Sequence, residues 1–178
     1  MDDVSVVVVF ETHATSEDNE AGIATGWLAG RLSEVGRQQA RELGERRRDD
    51  GIAVVFTSDL GRAVETAEIA FAGSPLPLVP DERLRECNYG ELNGRPEPLA
   101  DRASHIDVPY PGGESWRQAV ERVAAFLRDL RRDRDGERVL VIGHSATRFA
   151  LEVTVCGRPL DDLLAAPFAW RPGWEYVL

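Results

Sequence analysis

VSVVVVFETHATSEDNEAGIATG, residues 4–26, decides how the rest of the chain is read. Val4–Phe10 is β-branched and unbroken, the pattern of a strand buried on both faces of a parallel sheet. The polar run that follows, residues 11–26, predicts a long loop, and loops of that length are usually functional or mobile. Two further runs resemble the first: Ile52–Phe56 (IAVVF) and Val139–Ile142 (VLVI). Between them lie helical stretches. Ser33 caps one that continues through GRQQARELGERRR and ends before Gly51. Thr57, Ser58 and Asp59 make a turn into another over Leu60–Phe71. A third begins near Gly113–Ser115, where Trp116, Val120, Val123 and Leu127 repeat at helical spacing. A fourth starts at about Ala146. Leu78–Val79 reads as a short strand, Glu175–Leu178 as an edge strand. Residues 82–113 carry Gly90, Gly94, Pro96, Pro98, Pro109, Pro111 and Gly112 and read mostly as loop.

Strands alternating with helices predict an α/β fold of three layers, a mostly parallel central sheet with helices on both faces. The 178 residues fit one domain, 1–178. In such sheets ligands collect at the carboxyl ends of the strands. His13 lies three residues past the first strand and His144 two past the third. Arg62 stands just inside the helix after the second. Three strands therefore deliver two imidazoles and a guanidinium to one edge.

Composition narrows the function classes. The net charge of −10 disfavours nucleic acid as a partner, yet leaves room for a small anion in a locally cationic cleft. All 21 basic residues are Arg, which removes lysine chemistry of the Schiff-base or P-loop kind. Cys87 and Cys156 have no metal-ligand spacing and read as reduced thiols. The apolar start is too short for a membrane span and follows Asp2 and Asp3, so a cytoplasmic protein is expected. His105, in a proline-flanked loop, reads as structural. Glu65 and Glu68 read as a solvated helix face.

Phosphoryl transfer needs a nucleophile, cations for the equatorial oxygens and a proton for the leaving oxygen. A neutral imidazole, a second histidine, an arginine fork and a carboxyl group supply these. Six segments in order resemble the histidine phosphatase superfamily: the first strand with His13, GRLSEVGRQQARELG (30–44), FTSDLGRAVETAEI (56–69), ERLRECNYGELNG (82–94), PGGESW (111–116) and VLVIGHSA (139–146). The resemblance implies a phosphoglycerate-mutase-like fold with His13 as nucleophile and Arg62 and His144 on the phosphoryl group. It implies Glu86 as acid and base, and no metal or organic cofactor. Asn19 falls where members often carry Asn, and Asn19, Ser16 and Thr12 are expected as lesser contacts.

The chain departs from the family's Arg-His-Gly signature, with Thr12 for Arg and Ala14 for Gly; Thr15 stands where many members have Glu. Losing one charge-assisted contact costs roughly 1.5–3 kcal/mol, a rate loss of roughly tenfold to a hundredfold. Arg148 and Arg85 are the candidates to replace it. Trp27, Tyr89 and Tyr110, with the segments 17–30 and 92–112, are expected to shape the pocket. The leading expectation is a phosphomonoester hydrolase acting on a small phosphorylated molecule. It is preferred to a mutase because long insertions are absent. The alternatives are a family member that binds a phosphorylated ligand or protein without turnover, and altered chemistry in the same pocket. Retention of His13, Arg62, Glu86 and His144 together favours the enzyme.

Overall fold

A computed structural model describes residues 5–97 and 101–178; Val4 and Pro98 lie outside them. Five strands form the main sheet: β1 (Val7–Thr12), β3 (Val54–Thr57), β4 (Leu78–Pro80), β6 (Arg138–Gly143) and β7 (Trp174–Val177). Their spatial order is β4-β3-β6-β1-β7, parallel except for the antiparallel edge strand β7. The first strand begins at Val7 and runs two residues further than its apolar stretch. Glu11 and Thr12 stay in the ladder opposite Ile142 and Gly143, so polar residues occupy strand positions that hydropathy assigns to a loop.

Both faces are covered. Val8 and Phe10 of β1 point into a cluster with Trp116, Val123 and Phe126 of α4 (Trp116–Asp133) and Phe149 and Leu151 of α5 (Ser145–Thr154). Val9 points the other way, toward Leu43 of α2 (Glu34–Arg47) and Ala67 and Ala70 of α3 (Gly61–Ala70). The α2 and α4 helices start where serine caps predict: Ser33 accepts from the Gly36 N–H, and Ser115 forms a reciprocal capping box with Gln118.

The loop after β1 is more ordered than its composition suggests. Ser16 and Asn19 form a second capping box that starts α1 (Glu17–Ala21). Beyond it β2 (Ile23–Ala24) pairs with β5 (Arg95–Pro96), tying this segment to the 82–113 stretch. That stretch is mostly irregular, with short 3-10 turns at Glu82–Leu84, Gly90–Leu92 and Ala103–His105 among the described residues. The α6 helix (Leu160–Ala165) has too few residues to show a period in the sequence. No described helix is long and apolar enough to cross a membrane.

The α2–α3 pair packs backbone to backbone. A Cβ on Gly44 would overlap the Ala70 carbonyl oxygen. Gly44→Ala is therefore expected to destabilise by about 1–3 kcal/mol, although alanine is the better helix former by roughly 0.5–1 kcal/mol. Urea denaturation checks the sign; a stabilised variant would show that the helices can separate without loss.

Candidate active site

The carboxyl ends of β1, β3 and β6 bring His13, Arg62 and His144 together, as their placement after three strands predicts. The two imidazole rings lie 5.0 Å apart. The His13 N–H continues the ladder to the Gly143 carbonyl at 3.0 Å. Its Nδ1 lies 2.7 Å from the Ala14 carbonyl oxygen, which accepts only, so Nδ1 carries the proton and Nε2 the lone pair. Arg62 Nε donates to that Nε2 at 3.4 Å.

The same logic assigns His144. Arg62 Nη2 stands 3.3 Å from His144 Nδ1 and can only donate, so the His144 proton sits on Nε2. That Nε2–H is buried and has no partner among the described residues. An orphaned buried donor beside a lone-pair nitrogen suits an anion that bonds one and is attacked by the other.

Arg62 is almost fully buried and spends its fork within the chain. Nη1 donates to the Leu28 carbonyl at 2.9 Å and Nη2 to that of Gly26 at 3.0 Å. Gly26 itself adopts φ +53, where its missing side chain lets Asn93 approach. The two bonds to the histidines, at 3.4 and 3.3 Å, are longer than those to Leu28 and Gly26, and they are those a phosphoryl oxygen would displace.

Burial and the Arg62 charge push the His13 imidazole down to about 3, against the partial opposition of its bond to Ala14. Burial, Arg62 and His13 hold His144 well below the usual range. Burial also lowers Arg62, with Glu86, Tyr89 and Asp18 opposing. Both imidazoles are thus neutral at pH 5. Their NMR resonances are expected not to titrate between pH 7 and 5; a midpoint near 6.5 would refute the burial argument. Stability follows with a definite sign. Below pH 6.5 the unfolded chain takes up protons that the folded His13 refuses, so up to about 1.4 kcal/mol is lost per pH unit until pH approaches 3.

Glu86 sits across the same cavity, its carboxylate against the first turn of α5. Its Oε1 accepts from the Cys87 and Ala146 N–H groups, each at 3.0 Å, and Oε2 from Ser145 at 3.3 Å. Thr12 and Asn19 also line the cavity, whose volume is about 920 Å³. Asn19 has its Oδ1 committed to the Ser16 N–H. Ser16 is wholly buried, caps α1 and does not line the cavity, which corrects its expected role as a contact. Ala14 needs no glycine: no described non-glycine residue has positive φ, and its N–H donates to Thr66 Oγ1.

Neither arginine proposed to replace the signature guanidinium lines the cavity. Arg85 is clamped bidentately to Asp59 at 2.7 and 2.6 Å and lies over Trp27. Arg148 lies over Phe149 and Trp174. The cations that do line it beside Arg62 are Arg46 and Arg102, missed because nothing in their neighbours along the chain marks them. Arg102 rises from the 92–112 loop, lies over the Trp116 ring and pairs with Glu97 at 3.5 Å.

Of the aromatics expected at the pocket, Tyr89 lines it. Trp27 instead donates its indole N–H to the Glu86 carbonyl, and Tyr110 is buried against Tyr89 and His105. His105 is structural, stacked on Tyr110 at 3.9 Å with Nδ1 at the Val108 carbonyl. Glu68 is exposed, but Glu65 is not merely solvated; it accepts from the Leu32 N–H and from Arg37.

The sequence pattern of the histidine phosphatase superfamily (branch 1) matches residues 8–169. A 2,3-bisphosphoglycerate-dependent phosphoglycerate mutase of Methylobacterium sp. (strain 4-46) is 40% identical over 175 residues, covering 88% of this chain and 84% of the relative. The solved structure of Bacillus stearothermophilus YhfR superposes with a TM-score of 0.84 at 30% identity, over 94% of this chain and 88% of that one. A mycobacterial glucosyl-3-phosphoglycerate phosphatase in complex with VO3 shares the fold, with a TM-score of 0.76 at 23% identity over 92% and 87% of the chains.

Proposed function

Because the chain belongs to the histidine phosphatase superfamily, we propose that it hydrolyses phosphomonoesters through a phosphoryl group carried on His13. The observation that carries this reading is the pair of complementary nitrogens, the His13 Nε2 lone pair and the unpartnered His144 Nε2–H. His13 Nε2 forms a bond to phosphorus as the ester P–O bond breaks. Glu86, as the carboxylic acid, gives its proton to the departing alcohol oxygen. Water then attacks phosphorus, Glu86 takes its proton, and phosphate leaves His13 free. Arg62, His144 and the Thr12 hydroxyl hold the equatorial oxygens, with Asn19 at the rim. The chain's own groups balance both steps, so no metal or organic cofactor enters.

A mutase reading draws support from the relative named above, which is a phosphoglycerate mutase. The balance of charge favours the hydrolase. Among the described lining residues, Glu11, Glu42, Glu86 and Glu97 face Arg46, Arg62 and Arg102. Arg46 and Arg102 already pair with Glu11 and Glu97. A bisphosphorylated ligand needs a second cationic seat, and the lining leaves it none unpaired. Thr12 favours a third reading, binding without turnover, to the extent that a phosphoryl cation is missing.

The deciding experiment measures phosphate release from a phosphomonoester panel beside 3- to 2-phosphoglycerate interconversion with 2,3-bisphosphoglycerate present. Release without interconversion is expected. Interconversion without net release would establish the mutase, and neither, with phosphate still bound, the binder.

A further inference from the structure

The cavity extends well past the groups that act on phosphorus. Its far wall is built from Leu164 at the end of α6 and from Pro167, Phe168 and Trp170 in the segment between α6 and β7, and faces Leu43 and Arg46 of α2. Nothing in the hydrolytic step uses this wall. A phosphoryl group fills a small part of 920 Å³, and cavities of this size hold organic ligands whose apolar parts bury most of their surface.

Two features of the wall specify the occupant. Phe168 and Trp170 are 57% and 59% exposed, and they are the only aromatic side chains among the large apolar groups left mainly to water in the described residues. Both stand on this one wall, where a ring could cover them. Arg46 lies above Trp170, with its guanidinium carbon 5.8 Å from the ring centroid. Its Nη2 is committed to Glu11 at 3.2 Å, whereas its Nε is buried with no partner among the described residues. The Arg46 charge is therefore already compensated by Glu11, and its buried Nε–H is a donor left unspent. Such a wall favours a planar ring with a neutral acceptor over a second anion.

We propose that this wall seats the organic part of the substrate, and that the preferred substrate is a phosphomonoester bearing an uncharged aromatic ring and no second anionic group. The inference rests on the hydrolase reading and deepens it. The ring is joined to the ester oxygen through a tether, because the wall and the phosphoryl site are separate parts of one cavity.

The test compares matched esters of primary alcohols, so that leaving-group reactivity is constant. The pairs are ω-phenylalkyl phosphates with tethers of two to four carbons against the n-alkyl phosphates of equal length. In the wild type, kcat/KM is expected to be about tenfold or more higher for the best phenylalkyl ester than for its alkyl partner, as burial of one ring predicts. In Phe168→Ala/Trp170→Ala the ratio is expected to collapse to about two or below, and Trp170→Phe is expected to keep most of it. Both side chains are exposed, so the variants should fold, which circular dichroism checks. A ratio near one in the wild type, or one that survives the double variant, overturns the inference while leaving the hydrolase reading intact. If no ester is hydrolysed, the hydrolase reading fails instead. The wall is then tested by tryptophan quenching with ω-phenylalkyl phosphonates: quenching lost in Trp170→Ala supports the seat, and no quenching in the wild type overturns it.

Discussion

His13→Ala is expected to abolish phosphate release, lowering kcat for an aryl phosphate by about 10⁴-fold or more, the scale on which loss of a covalent nucleophile acts. The geometry leaves no understudy. His144 turns its lone-pair nitrogen toward Arg62 and its N–H away, so it cannot take over the attack without changing tautomer. Glu86 is held by the backbone N–H groups of Ser145 and Ala146 at the start of α5 and by that of Cys87. The wild type mixed with labelled ester and quenched in alkali should retain protein-bound label that acid removes, the signature of a phosphoramidate. The alanine variant should retain none. Turnover persisting in a folded His13→Ala protein would remove the covalent mechanism altogether.

The largest effect on stability is expected at Glu11, one residue before Thr12. Its carboxylate is 1% exposed and lies between Arg47 Nε at 2.9 Å and Arg46 Nη2 at 3.2 Å. Arg47 reaches on to Asp50 and to the Pro172 carbonyl, so the group joins β1, α2 and the approach to β7. Removing one member of a buried charged cluster strands its partners, at about 3–5 kcal/mol. Arg47 keeps Asp50, which sets Glu11→Ala near the lower figure, about 3 kcal/mol. For a chain of this length that corresponds to a fall in Tm of roughly 6–12 °C. Thermal unfolding of Glu11→Ala beside Glu11→Gln checks it, and an unchanged Tm in both would mean that the arginines find water instead. Because Glu11 and His13 share a strand end, kcat is expected to fall in the same variant.

Much of this was legible in the chain itself. The apolar runs ending near Phe10, Phe56 and Ile142 and the caps at Ser33 and Ser115 involve residues close in sequence, so local pattern suffices to place strands and helix starts. Once the strands are parallel, the offsets of His13, Arg62 and His144 from their ends bring the three groups together without further information. Tertiary structure decided what depends on partners far along the chain. It buried Glu11 against arginines 35 and 36 residues away, where hydropathy reads a loop. It made a helix from Ser16 and Asn19, and it turned Arg85 and Arg148 from the cavity while bringing Arg46 and Arg102 into it. The tautomers of His13 and His144 belong to the same class. Each is set by one acceptor or donor at a few ångströms, the Ala14 carbonyl for His13 and the Arg62 fork for His144, and only the folded backbone holds those groups at that distance.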